Sequence, residues 1–260
     1  MISLDQIKGF FPPQVRDNPA HRKYMLKEYI QLQILDYLSG LSYVKKLAFI
    51  GGTSLRLIKG IDRFSEDLDF DCIDFSEDEF DEMTKDVLAF LHRMGMNAEV
   101  REKKGAALKA FRSNLVFPGL LFDLNLTGHS SERFLIKLEC QDQQVKYENA
   151  IVNIKGCGLF FPFPVPPDPV LCSMKISALL SRAKGRDFYD VMFLMGKTEP
   201  DYDFLAARCG IRNKKELKDR LSEMLDKVDL VNKSRDFEHL LFDNNNSRRI
   251  LNFREYVEEL

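Results

Sequence analysis

The sequence contains no tryptophan and only four histidines, His21, His92, His129 and His239. They are dispersed, and none has a partner at metal-ligand or catalytic-triad spacing, which argues against histidine-built zinc sites and histidine-centred nucleophilic catalysis. Cysteine is sparse and odd in number: Cys72, Cys140, Cys157, Cys172 and Cys209. No two of them form a CxxC pair, so buried or free thiols in a reducing compartment are expected, not a disulfide framework or a zinc ribbon. No apolar run approaches the roughly 20 residues that cross a bilayer. The opening MISLDQIKGFFPPQVRDN lacks the basic start and apolar core of a signal peptide. A soluble, cytoplasmic protein with no membrane contact is expected. A dominant charge is missing too: 38 Lys and Arg against 40 Asp and Glu leave a net charge of −2. Any nucleic-acid partner must therefore be held by a local basic patch.

What is present is a globular balance, 45% hydrophobic and 30% charged over 260 residues, enough for one large domain or two modest ones. Apolar spacing over Pro19 to Leu38 predicts an amphipathic helix. Lys46 to Ile50 reads as a buried strand, interrupted by Gly51-Gly52, and Thr53 to Lys59 as a short helix ended by Gly60. Asp67 to Asp71 alternates acid and apolar with period two, the pattern of a half-buried strand. Ser76 with Glu79 three residues on opens a further helix to about residue 94. Strands are expected over Ala107 to Phe117, Leu120 to Leu126, Phe134 to Cys140 and near Ala150 to Ile154. Phe160 to Pro167 holds four of the ten prolines and reads as an ordered linker. Asp168-Pro169 then opens a lobe that is helical in pattern to Leu260. The expected organisation is an α+β (mixed α/β) lobe over 1–160 followed by an α-helical lobe over 161–260.

Strand, Gly-Gly-Thr-Ser, short helix, loop and Asp-x-Asp on a new strand form a constellation in which each part has a physical use. Gly51 and Gly52 let backbone approach a phosphate. The helix N–H groups near Thr53 and Ser54 point at it, and a hydroxyl adds a donor. Asp67 and Asp69, two apart on a strand, share a face. Paired carboxylates call for a cation, and beside a triphosphate magnesium (or manganese) is the usual one. Asp71 shares the face one step further on.

The string GGTSLRL…RFSEDLDF resembles the signature of the DNA polymerase beta-like nucleotidyltransferase superfamily. More narrowly it is similar to the AbiEii toxin family, in which GGT(S/A)L and R-x-S-x-D-L-D-F recur, and this adds Arg63 and Ser65 to the nucleotide-binding set. The resemblance implies a polymerase beta-like first lobe and a third carboxylate on a neighbouring strand, which shares a metal and activates the attacking hydroxyl. Asp123 and Glu139 both qualify. Glu139 is preferred because it shares a face with Lys137 in a segment that resembles the family's K-[IL]-E.

A second motif runs from Met174 to Asp190. On one continuous helix Lys175, Arg182 and Arg186 fall at i, i+7 and i+11, a basic stripe suited to a triphosphate, although Gly185 can interrupt it. The family's K-x-x-A-L-x-x-R-x-K-x-[RK]-D-x-x-D string matches at Lys175, Arg182, Lys184, Arg186, Asp187 and Asp190. It implies catalytic roles for Lys175 and Asp187 and nucleotide contacts for Arg182 and Arg186. The plainer alternative is a solvated charged face with Asp187 and Asp190 in local salt bridges.

Together these imply transfer of a nucleotide from an NTP to an acceptor hydroxyl. The family resemblance further implies a toxin with a cognate antitoxin, and some relatives modify the 3′ end of tRNA. A protein or a small molecule such as an aminoglycoside is the alternative acceptor. A non-catalytic nucleotide-binding module is the reading from another class.

Overall fold

The computed structural model describes residues 3–101 and 110–260, in two units. The first comprises Met1–Gly60, Phe64–Gln144 and Asn149–Val165; the second comprises Ile61–Arg63, Val145–Glu148 and Pro166–Leu260.

The first unit opens with two short helices, α1 (Leu4–Lys8) and α2 (Pro13–Arg16), and then the long α3 (Arg22–Ser39). An amphipathic α3 was expected from its spacing, but Met25 to Leu32 is buried on every side. Even Lys27, Glu28 and Gln31 are covered, each by a polar partner from the chain around it. Strand β1 (Leu47–Ile50) runs into α4 (Gly51–Ser54) and a π-type turn, Leu55–Lys59, which Gly60 ends at φ 72°. Strand β2 (Asp67–Cys72) follows, then α5 (Glu77–Arg93), whose Ser76–Glu79 capping box forms as its sequence predicts.

Next come β3 (Glu99–Arg101), β4 (Phe111–Val116), α6 (Leu120–Asp123), β5 (Leu135–Gln141), β6 (Ala150–Gly156) and β7 (Leu159–Val165). Two expectations fail here. Leu120 to Leu126 is not a strand: Pro118 and Gly119, the latter at φ 74°, turn the chain into a helical turn. The proline-rich segment is not a linker but β7. Its prolines 162 and 164 are two apart on one edge of a two-stranded ribbon, where no ladder N–H is lost, while Phe161, Phe163 and Val165 alternate inward. Residues 107–109 of the expected strand lie outside the described residues.

Among the described residues the main sheet has the order β1-β2-β5-β4-β3, with β2 and β5 parallel and the other neighbours antiparallel. Its register sorts side chains by chemistry. Phe49, Phe70, Leu138 and Leu115 fall on one face and are fully or almost fully buried. Phe163 of β7 closes on Phe49 and Phe70 at 5.9 Å ring separations, each such pair adding about 0.5–1.5 kcal/mol beyond area burial. The opposite face carries Asp67, Asp69, Lys137, Glu139, Arg112 and Asn114.

The second unit is helical: α7 (Asp168–Arg182), α8 (Gly185–Met195), α9 (Tyr202–Cys209), α10 (Lys214–Leu225), α11 (Leu230–Arg235) and α12 (Phe253–Glu258). Asn244 opens a run of 3-10 turns to Asn252. The cysteines are free; burial pushes the Cys72 and Cys172 thiols up to about 12. Among the described residues no helix is long and apolar enough to cross a membrane.

Gly185 is where α8 meets α11. A β-carbon there would overlap the Lys233 carbonyl oxygen and the Asp236 carboxylate and lie 2.8 Å from the Phe237 ring. The Gly185 N–H also donates to Asp236 at 3.0 Å. Gly185→Ala is expected to destabilise the protein by about 1–3 kcal/mol, seen as a lowered midpoint in urea unfolding; an unchanged midpoint would contradict this packing.

Candidate active site

The polar sheet face concentrates charge because β2 and β5 run parallel in a fixed register. Asp67 pairs with Lys137 and Asp69 with Glu139, and Glu139 in turn faces Arg112 on β4. The Lys137 ammonium lies 3.0 Å from the Asp67 carboxylate and 3.7 Å from that of Glu139. Arg112 reaches Glu139 through Nε at 2.8 Å and Nη2 at 3.1 Å. Burial works to lower the Lys137 pKa, but Asp67, with Glu139 and Asp69 behind it, outweighs this and holds the pKa above its ordinary value. Lys137 is therefore a fixed cation among three carboxylates.

The glycine turn packs against this row. Gly51 has φ 80°, a conformation that glycine adopts without strain, and a β-carbon there would overlap the Asp69 carboxylate. The Thr53 hydroxyl donates to the Asp67 backbone carbonyl and so ties α4 to β2. Of the two hydroxyls expected to offer a donor to phosphate, that of Thr53 is engaged in this bond. Ser54 is buried, and among the described residues its Oγ has no hydrogen-bond partner; Gly52 is buried beside it.

The loop entering β2 is fixed from α3. Gln31 Nε2 donates to the Ser65 carbonyl at 3.3 Å, and Lys27 binds Glu66 at 3.0 Å. Ser65 is thus held through its backbone. Asp71, which shares the face by spacing, is almost fully buried and accepts the Gln143 N–H at 2.9 Å. Of the two candidates for the third carboxylate, Glu139 is brought into register with Asp69, whereas Asp123 ends the helical turn α6.

Among the described residues no group of three or more His, Cys, Asp and Glu is gathered to hold a metal. Asp67 and Asp69 form a two-carboxylate, all-oxygen set, which suits magnesium because that ion keeps waters and substrate oxygens as its other ligands. Glu139, expected as a metal ligand, instead has both carboxylate oxygens engaged by Arg112. Arg112 was missed in the sequence. The alternation of Phe111 to Leu115 carries a signal for it, but only strand pairing shows that it meets Glu139.

The second motif departs from its expected geometry. Ala183 adopts φ 44° and ends α7, and α8 starts at Gly185, so no continuous stripe joins Lys175, Arg182 and Arg186. Asp187 and Asp190 are both fully buried. Arg182 grips Asp187 with bonds of 2.8 and 2.7 Å. Arg63, buried to 1% exposure, makes two bonds of 2.7 Å to Asp190, and Lys175 reaches the same carboxylate at 2.9 Å. Arg63 and Arg182 thus hold carboxylates where phosphate contacts were expected, because each acid is dry and requires a paired cation. Burial alone raises the Asp190 pKa, yet Arg63 and Lys175 together bring it below its ordinary value. Arg186 is half-buried and has no ion pair or hydrogen bond through its side chain among the described residues.

A family model described as "Nucleotidyl transferase AbiEii toxin, Type IV TA system" matches residues 33–258. No curated relative matches the chain. Among solved structures, the nucleotidyltransferase toxin MenT4 from Mycobacterium tuberculosis aligns with a TM-score of 0.61 and 17% identity, over 100% of this chain and 91% of its own. JHP933 from Helicobacter pylori aligns with a TM-score of 0.53 and 19% identity, over 91% and 94% respectively. At these identities the likeness is one of fold.

Two outcomes are expected. Gly51→Ala forces a residue with a β-carbon into φ 80° at a cost of about 1–2 kcal/mol and displaces Asp69. NTP turnover should fall far more than the unfolding midpoint does; equal, small changes in both would count against this turn as part of the site. Asp190→Asn leaves Arg63 and Lys175 buried without their anion, and a loss of about 3–5 kcal/mol is expected at neutral pH. A carboxylate with a lowered folded pKa stabilises above its unfolded pKa and loses that contribution as pH falls through the folded one. The wild type should therefore show a steeper stability loss than the variant below about pH 4. Parallel acid curves would show that Asp190 is not the titrating group.

Proposed function

The chain belongs to the AbiEii nucleotidyltransferase toxin family, and on that footing we propose that it moves an NMP from an NTP to the 3′-terminal hydroxyl of a tRNA in the cytoplasm. A cognate antitoxin restrains it. The observation that carries this reading is the Asp67/Asp69 pair facing the Gly51 turn on the polar side of the sheet.

The acceptor oxygen attacks the α-phosphorus, the bond to the β-phosphate oxygen breaks, and pyrophosphate leaves. Asp67 and Asp69 hold magnesium, or manganese in its place. When bound, the ion supplies Lewis-acid polarisation of the phosphoryl oxygens. The backbone around Gly51 and Gly52 accommodates the phosphates, with the start of α4 adding N–H groups. Glu139, positioned by Arg112 and Lys137, orients the acceptor hydroxyl and takes its proton. Lys137 compensates the acidic row before the metal and substrate arrive.

In the second unit, Lys175 and Asp187 are held in buried ion pairs and serve the packing of that unit.

The test uses α-labelled NTPs with separate tRNA, protein and aminoglycoside pools, each with the wild type and Asp67→Asn. Label in tRNA is expected with the wild type, and a drop of about a hundredfold or more with the variant. Label confined to protein or aminoglycoside would refute tRNA as the acceptor while leaving transfer intact. Equal turnover by the variant would refute the site.

A further inference from the structure

A cleft of about 720 Å³ opens in the first unit against Asp67, and neither Asp69 nor any residue of the glycine turn lines it. Of the carboxylate pair it therefore borders Asp67 alone. A volume of this order holds a ligand of nucleotide size and not a duplex.

The cleft wall is built from the start of α3 and from the segment between α6 and β5. These elements contribute Arg22, Lys23, Lys27 and Arg133 against Glu66, Glu132 and Asp67. The lysines are engaged: Lys23 binds Glu132, and Lys27 binds Glu66 at 3.0 Å. The arginines are not. Among the described residues neither Arg22 nor Arg133 forms an ion pair or a side-chain hydrogen bond, and the Arg22 Nε is buried with no acceptor. Two guanidinium groups that line the cleft without a partner from the chain keep their donors for an anionic oxygen from outside it. Tyr24 also lines the cleft; its ring stacks on Phe64 at a 5.4 Å separation and gives the wall an aromatic component.

We propose that this cleft binds the phosphodiester backbone of a single-stranded polynucleotide acceptor, through Arg22 and Arg133, so that its terminal hydroxyl reaches the Asp67 side of the carboxylate pair. The assignment rests on the reading of Asp67 and Asp69 as the transfer site. Cations that track phosphates beside an aromatic ring are the general means of holding a single strand. They also meet the requirement for a local basic patch on a chain whose net charge is −2. A hydroxyl on a protein or a sugar antibiotic brings no anionic oxygen for two unpaired guanidinium groups.

The test is fluorescence anisotropy of a short labelled single-stranded RNA oligonucleotide on the full chain without NTP, with the NTP KM measured in parallel. Arg22→Gln and Arg133→Gln are each expected to weaken binding on the order of tenfold. Each should make the slope of log affinity against log salt shallower by about 0.7, with the NTP KM unchanged. Arg133 is exposed, so its variant tests the cleft even if Arg22→Gln folds poorly. Undiminished binding by the folded variants would overturn the proposal. So would a raised NTP KM with oligonucleotide binding intact, since the cleft would then hold the phosphates of the NTP. If the wild type transfers label to another acceptor and binds no oligonucleotide, the cleft assignment falls and the transfer reading stands. If it binds the oligonucleotide in an arginine-dependent way but turns over no NTP with any acceptor, the transfer reading fails and takes the acceptor role with it.

Discussion

Like charge on one face of β2 is the constraint to which the first unit is built. Asp67 and Asp69 project together because strand side chains repeat every two residues, and their repulsion has to be met by cations. The parallel register with β5 supplies Lys137 beside Asp67, and the antiparallel register with β4 supplies Arg112 beside Glu139. The same strand parity sends Leu68 and Phe70 to the other side, where Phe49 and Phe163 close over them. Core and site are thus two faces of one alternation. A one-residue slip of β2 would bury the acids and expose the aromatics together, so the register is strongly specified.

The anchoring around that face comes from distant parts of the chain. Gly51 has no β-carbon, and the Asp69 carboxylate packs where one would be. Thr53 ties the turn to the Asp67 carbonyl, and α3 holds Ser65 and Glu66 through Gln31 and Lys27. This is the work of an otherwise awkward helix, one that buries Lys27, Glu28 and Gln31 and satisfies each. Glu28 shows the tension plainly: burial raises its pKa, and the bidentate Arg56 pulls against that rise.

The second unit uses charge differently. Its acidic motif residues are interior, not surface, and each is held by cations that the sequence pattern places next to phosphate. Arg63 and Lys175 share Asp190, while Arg182 closes on Asp187. Buried pairs of this kind are weak stabilisers as a whole but costly to break, because the surviving charge stays dry. Residues of the RxSxDLDF and RDxxD strings therefore divide between chemistry and architecture, with Arg63 and Asp190 on the architectural side.

Local pattern by itself determined the strand–Gly-Gly–helix–Asp-x-Asp order, the Ser76 capping box, the helical C-terminal lobe and the family resemblance, since each depends on residues within a few positions of one another. Partners in space were a different matter. Arg112 on Glu139, Arg63 on Asp190 and the open wall of Arg22 and Arg133 beside Asp67 join segments between about 27 and 127 residues apart. The proline-rich β7 and the helical turn after Gly119 were misread for the same reason: an edge ribbon and a positive-φ glycine override local propensity only once the neighbouring chain is in place. Which residue types carry chemistry is written along the chain. Which of them are free to meet a substrate depends on the ion pairs that folding closes, and only the tertiary structure decided that.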